Sequence, residues 1–418
     1  MKKIFYALLF ISPVCFAQEN LGDALVTPKR PKKIIHVGGP GADIQGFTNH
    51  SIQIAVEALP PEGGIVKMDT GVYTMMAPVR LKSNVQLIGS GPRTVLRRID
   101  GFHSRFIIDA DYGELKITVE DASKFKPGMS IQVTNKPYSD CWDVSTAVIT
   151  DIVKDTLFFD THLIRDYEAG LNGMVTNAGS CVSVYGVQNV LLSDFQVDGN
   201  KTKNDLLDGC NGGGVAIIKS NNVTVDHVVV KDFNGEGITW QITNHVTIRN
   251  SEINGCTNMG LHPGTGSPNT VIENNFSHNN KVGLYICWRV QNSIVRNNVF
   301  SDNSTNGIST GHKDSDVLFE GNTINGNGEH GVYIRDENIK NSPCRNTFTD
   351  NKIEDNKGYG IYIAAEAPDL VLKNNTIRNT QSNLQKAAIY VAQKGIGFTQ
   401  NNNKMTGHAD GNILYGKN

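Results

Sequence analysis

GLYICWR (283–289), GISTGHK (307–313) and GVYIRDE (331–337) share one pattern: a glycine, two apolar or small residues one apart, and a mixed finish that often carries charge. Five further segments start the same way: GVAIIKS (214–220), GITWQIT (237–243), GLHPGTG (260–266), GIYIAAE (360–366) and AIYVAQK (388–394). Their starts are separated by 23, 23, 23, 24, 24, 29 and 28 residues. A period of this length marks a repeat architecture, in which one repeat cannot bury its apolar face alone and must stack on its neighbours.

Alternation inside each segment gives the local structure. The residues after the glycine are Val215, Ile238, Leu261, Leu284, Ile308, Val332, Ile361 and Ile389, and two places on come Ile217, Trp240, Pro263, Ile286, Thr310, Ile334, Ile363 and Val391. Side chains of a strand alternate faces, so both columns point inward. The column between them, Ala216, Thr239, His262, Tyr285, Ser309, Tyr333, Tyr362 and Tyr390, points outward. A second alternation follows, as in VTVDHVVV (223–230), VTIRNSEI (246–253) and SIVRNNVF (293–300). An asparagine then recurs in register at Asn275, Asn298, Asn322, Asn351 and Asn375, where stacked amides can hydrogen-bond between coils. Two or three short strands per repeat make an all-β solenoid, a parallel β-helix; a propeller blade would need about 40 residues.

The remaining segments supply ends and an interruption. Asn49 reads as the N-cap of a short helix with Ile52, Ala55, Val56 and Leu59 on one face, stopped by Pro60-Pro61, which would plug the open N-terminal end. LKITVEDASKFKPGMSIQVTN (115–135) and STAVITDIVKDTLFFDT (145–161) break the repeat and read as antiparallel strands of a small β insertion.

GADIQGFTNHSIQIAVEALPPEGGIVKMDTGVYTM (41–75) and LKSNVQLIGSG (81–91), with the later coils, resemble the pectate-lyase-like superfamily. The resemblance implies a right-handed helix and an activity on polysaccharides as lyase, hydrolase or epimerase. It transfers no catalytic residue. The aspartate triad of polygalacturonases, the calcium-binding aspartates of pectate lyases and the Asp-Pro-His-Glu signature of alginate epimerases are all missing.

Lys2 and Lys3, the apolar run Ile4–Ile11 and the small residue Ala17 read as a signal peptide cut after Ala17, so the protein is expected to be secreted or periplasmic. A lipoprotein cut before Cys15 is the competing reading, disfavoured by Pro13-Val14. The net charge is −2, or −4 without Lys2 and Lys3, and no later run is long enough to span a bilayer. The basic run Lys29–Lys33 reads as a solvated linker, so neither nucleic acid nor a membrane is an expected partner. The expected division is a signal peptide (1–17), a leader (18–37), the cap and first coils (38–100), the insertion (101–180) and the main coils (181–418). Six cysteines remain with no metal-binding spacing, and they read as disulfides or equally as buried free thiols.

Coils lie about 4.8 Å apart, so equivalent positions in successive coils are neighbours. Coils 283, 307 and 331 then bring Trp288, Arg289, His312, Lys313, Arg335, Asp336 and Glu337 together, beside the outward His262, Tyr285 and Tyr333. Glu236 and Asp208 lie at the edge of this patch. A solvated ladder of ion pairs is the competing reading. Against it, the flanking coils carry Ile218, Lys219, Ser220, Ala364 and Ala365 there, so the charges are concentrated rather than spread.

Two chemistries fit. β-Elimination at a uronate needs a cation on the substrate carboxylate, a base and an acid. Arg289 or Arg335 suits the first role, Lys313 or His312 the second, and Tyr285, Tyr333 or His262 the third, with Asp336 and Glu337 orienting them. Glycoside hydrolysis would instead draw two carboxylates from Asp208, Glu236, Asp314, Asp336 and Glu337. Epimerisation would share the first machinery, and a glycan-binding solenoid would use the tyrosine column without catalysis. Trp288, Tyr285 and Tyr333 would contact sugar rings. No cofactor is expected, calcium being the metal left open; the partner is a polysaccharide or oligosaccharide.

Overall fold

The computed structural model describes residues 25–26, 33–381, 384–393 and 396–416. The expected signal peptide and the basic run as far as Lys32 lie outside the described residues. Three sheets of 14, 11 and 11 strands run along one stack of coils. Pairing within them is parallel except for Leu25–Val26, which pairs antiparallel with Ile44–Gln45. The glycine-led strands form one sheet in strict register, Leu284 beside Ile308, then Val332, Ile361 and Ile389. Both inward columns are buried along the whole stack. Among the described residues no helix is long and apolar enough to cross a membrane.

The corners explain the asparagines. One corner of each coil holds a left-handed residue, Asn274, Asn297, Gly321, Asp350, Asn374 or Asn402, the types that tolerate positive φ at least cost. The residue after it is the ladder asparagine. Asn298 Nδ2 donates to Asn322 Oδ1 at 3.0 Å, and Asn322 Nδ2 donates to Asn351 Oδ1 at 2.9 Å. The same amides bond backbone groups in adjacent coils, so buried polar atoms are satisfied in both directions. A second ladder, Asn280, Asn303, Asn327, Asn356 and Gln385, runs along another corner by the same device.

Helix α1 (Asn49–Ala58) buries Ile52, Ala55 and Val56 over the end of the stack. Its N-cap is Thr48, not Asn49. Thr48 Oγ1 accepts the Ser51 N–H at 3.2 Å, and Ser51 Oγ accepts the Thr48 N–H at 3.1 Å. Asn49 is drawn elsewhere, its carboxamide oxygen accepting the Met76 N–H at 3.0 Å.

Between residues 103 and 176 the chain builds a separate six-stranded antiparallel sheet. It has its own core, including Phe106, Val119, Ile131, Leu157 and Val175. The insertion leans on the loop that precedes Gly214: Gln132 Nε2 donates to Leu206 O at 2.9 Å, and Gln132 Oε1 accepts the Asp208 N–H at 3.0 Å.

Candidate active site

The glycine-led strands end at a third corner, and here the backbone is unusual. Trp288 and Arg289 have φ of 61° and 63°, and His312 and Lys313 have 48° and 64°. Two consecutive left-handed residues that are not glycine cost about 1–2 kcal/mol each. Such strain persists where the surroundings enforce it, and it concentrates at functional sites. It turns the indole of Trp288 flat onto the imidazole of His312, with centroids 4.8 Å apart and planes 13° from parallel. The Arg289 and Lys313 side chains, in adjacent coils, face solvent. Among the described residues neither has an ion-pair partner within 4.0 Å.

Behind this rim lies a packed polar cluster. His312 Nε2 meets Glu337 Oε1 at 2.8 Å, and its Nδ1 faces the Cys287 thiol at 3.0 Å and Arg335 Nη2 at 3.4 Å. Arg335 is buried. It donates from Nη1 to Ser309 Oγ at 2.9 Å and from Nη2 to Ile286 O at 2.7 Å, and its guanidinium lies 4.3 Å over the Tyr285 ring. Gly311 makes room for it, since a Cβ there would stand 2.9 Å from Arg335 Nε. On the other side of Tyr285, His262 packs edge-on at 5.4 Å, and its Nδ1 meets Glu236 Oε2 at 2.6 Å.

The two histidines hold opposite charge states. Burial, helped by Arg335, pushes His312 down to about 4, so its ring is neutral at pH 7. With Nε2–H given to Glu337, Nδ1 carries the lone pair. Burial also opposes charge on His262, but the Glu236 carboxylate overrides it and lifts the pKa to about 10. That ring is an imidazolium. Burial raises the Tyr285 phenol despite Arg335, so the hydroxyl keeps its proton. One site thus holds a neutral base, a charged imidazole acid and a protonated phenol, the separation of roles that acid–base catalysis requires.

A family model described as right handed beta helix region matches residues 180–343, and one described as periplasmic copper-binding protein (NosD) matches 277–413. The match over residues 180–343 and the three parallel sheets agree on a right-handed parallel β-helix. Solved structures agree on this fold. The A-module of the Azotobacter vinelandii mannuronan C-5 epimerase AlgE4 is 19% identical with a TM-score of 0.54, over 88% of this chain and 94% of that one. A hyperthermoactive exopolygalacturonase from Thermotoga maritima is 14% identical at 0.53, over 94% and 93%. PfbA, a surface adhesin of Streptococcus pneumoniae, is 15% identical at 0.51, over 87% and 86%. No curated protein sequence matches. Among the described residues, one group of three metal-ligating side chains comes together, Cys141, Asp208 and Cys210, and it lies outside the NosD match. Asp208 already accepts four hydrogen bonds, so that group is a poor fit for copper, and no step is assigned to a metal.

The β-helix brings together His262, Glu236, Tyr285, Trp288, Arg289, His312, Lys313, Arg335 and Glu337. Two expected members stand apart, Tyr333 and Asp336, which lie toward an aromatic cluster of His330, Tyr359, Tyr362 and Tyr390. Asp208 sits at the edge, hydrogen-bonded to Cys141 of the insertion and near enough to Glu236 for the two charges to repel. Asp314 is corrected outright: it is fully buried, accepting the Val290 and Gly311 N–H groups at 3.0 and 3.1 Å, and it caps the corner. Thr239, His262 and Ser309, in the column expected to point outward, are nonetheless buried because Gly209, Glu236 and Arg335 cover them. Cys287, whose thiol lies 3.0 Å from His312 Nδ1 and helps raise His262, was absent from the expected set. Its place four residues after the glycine, level with Gly311 and Arg335, was the available signal. A cavity of about 510 Å³ opens on the same sheet toward the N-terminal coils, where Trp142 and Arg80 face Tyr185 and Lys219.

Proposed function

We propose that this β-helix is an exported enzyme acting on an anionic polysaccharide, cleaving it by β-elimination at a uronic acid residue. One observation carries the reading: the acids at the centre of the cluster are engaged and two of its cations are not. Glu236 is held by His262, Glu337 by His312, and Asp314 by backbone N–H groups close to Arg335. Hydrolysis needs two carboxylates free to serve a glycosidic bond. Arg289 and Lys313, exposed and unpaired, suit the carboxylate of a uronate instead.

In the elimination, Arg289 and Lys313 neutralise the substrate carboxylate and stabilise the charge that spreads into it. His312 takes the C5 proton on Nδ1 once substrate displaces the Cys287 thiol and Arg335 Nη2 from that lone pair, and Glu337 stabilises the imidazolium that forms. The C5–H electron pair becomes the C4=C5 bond as the C4–O bond breaks. The Tyr285 phenol or the His262 imidazolium protonates the departing oxygen. Trp288 offers an apolar face to a sugar ring.

The test is a panel of polymannuronate, polyguluronate, polygalacturonate and neutral glycans, followed for ultraviolet absorbance and for reducing ends. The proposal expects absorbance and reducing ends to rise together on at least one polyuronate, and both to be lost in His312→Ala. Reducing ends without absorbance identify a hydrolase, and inversion at C5 without chain cleavage identifies an epimerase. Either outcome overturns the reading.

A further inference from the structure

Cys141 and Cys210 belong to different parts of the fold. Cys141 opens a short turn of the insertion, and Cys210 lies in the loop leading to the strand that begins at Val215. Both are free thiols in the structure, Cys141 exposed and Cys210 half-buried. Their sulfur atoms lie within 4.8 Å of one another. What holds them there is an arrangement of neighbours rather than chance proximity. Asp208 grips both backbones: Oδ1 accepts the Cys141 N–H at 2.6 Å, and Oδ2 accepts the Cys210 N–H at 3.1 Å. Asn211 closes the clamp, donating Nδ2–H to Cys141 O at 2.7 Å and to Asp208 Oδ2 at 2.9 Å. The carboxylate is thereby committed to holding these backbones, three of its four hydrogen bonds falling on Oδ2. It leaves the two sulfur atoms as the unused chemistry of the cluster.

We infer that Cys141 and Cys210 form a disulfide that staples the insertion to the coil beside the His262–Glu236 pair. The location gives the bond a consequence. Gly209, next to Cys210, lies against the Glu236 carboxyl so closely that a Cβ there would stand 1.9 Å from Oε1. Its carbonyl accepts the Thr239 hydroxyl at 2.9 Å. The cross-link therefore pins the loop that covers the buried carboxylate of the pair. The loop it closes spans residues 141–210, long enough for a cross-link to restrict the unfolded chain strongly.

The chemistry balances with an exchanging disulfide as oxidant. The neighbouring Cys210 thiol holds that of Cys141 below the ordinary thiol range, while Cys141 and burial raise Cys210. The exposed Cys141 thiolate attacks the oxidant and releases one thiolate from it. Cys210 then loses its proton and attacks the Cys141 sulfur of the mixed disulfide, releasing the second. Two protein thiols become one disulfide, and one oxidant disulfide becomes two thiols.

The experiment uses the full chain equilibrated with oxidised glutathione, alkylated and mapped by mass spectrometry, with thermal unfolding in parallel. The expected result is one linked peptide pair containing Cys141 and Cys210, with the buried Cys181 and Cys256 unlinked. Tm should fall by several degrees on reduction, and this reduction-dependent fall should vanish in Cys141→Ser and in Cys210→Ser. Alkylation of both cysteines after oxidation overturns the inference, as does a different linked pair. Stoichiometric zinc retained by the reduced chain, and lost in Asp208→Asn, would overturn it in favour of a metal site. None of these readouts depends on which glycan reaction the β-helix performs.

Discussion

His312 and His262 are about two coils apart, and each has an acid for a neighbour, yet they titrate in opposite directions. The difference lies in what else faces each ring. Burial first, and the Arg335 guanidinium at 3.4 Å beside it, keep His312 neutral, whereas at His262 the Glu236 carboxylate at 2.6 Å outweighs burial and keeps the ring charged. If His312 is the base, kcat/KM falls as pH drops through about 4, where His312 takes up a proton. If His262 is the acid, it falls again as pH rises through about 10, where that ring loses one. Glu236→Gln removes the partner that raises His262. The alkaline limb should then move down to or below the usual imidazole value of about 6.5, while the acid limb stays in place. A pH profile of both enzymes on one polyuronate checks this, and an unmoved alkaline limb would assign the acid to Tyr285 instead. The fold should register the same pair: a raised histidine pKa contributes stability below the unfolded value and loses it as pH climbs through about 10.

At the scale of the coil, two corners show what a repeat can reveal and what it conceals. Period, alternation and the first asparagine column were legible because each is a direct projection of stacking onto sequence. The left-handed pairs 288–289 and 312–313 were not, since nothing in the letters Trp-Arg or His-Lys favours positive φ. Stacking arithmetic also set Glu337 above Lys313, but the chain leaves the ladder after Arg335. The interval from 331 to 360 is 29 residues where the two before it are 24, and the extra length forms a loop. In it the Lys313 N–H reaches Asn341 O, and Glu337 comes to His312 from the side. Both corners make predictions. Lys313→Gly removes the steric cost of φ 64° at an exposed position, so stability in urea should rise by about 1 kcal/mol while KM for a polyuronate increases. Asn322→Ala strips partners from Asn298, Asn351 and Val295 O in the buried ladder, and should cost about 2–4 kcal/mol by the same measurement.

Over the whole molecule, charge offers little to an anionic polymer, since the chain carries −2. Attraction must come from a local field, and the exposed cations beside the cluster are Arg289 and Lys313, side by side on successive coils. Exposed charges are screened by salt, with a Debye length of about 8 Å at physiological ionic strength. The buried partners Glu236–His262 and Arg335–Asp314 are shielded from that screening by the protein around them. Salt should therefore act on capture of the polymer and leave the proton transfers alone. KM for a long polyuronate is expected to rise steeply between roughly 0.02 and 0.2 M sodium chloride with kcat nearly constant, the signature of lost uniform binding. The double variant Arg289→Ala/Lys313→Ala should start from a high KM and lose most of that salt dependence. Steady-state kinetics across the salt series decides it. If the double variant keeps the slope of the natural protein, the polymer is held elsewhere on the sheet, with Lys219 and Arg80 at the N-terminal cavity the next cations to remove.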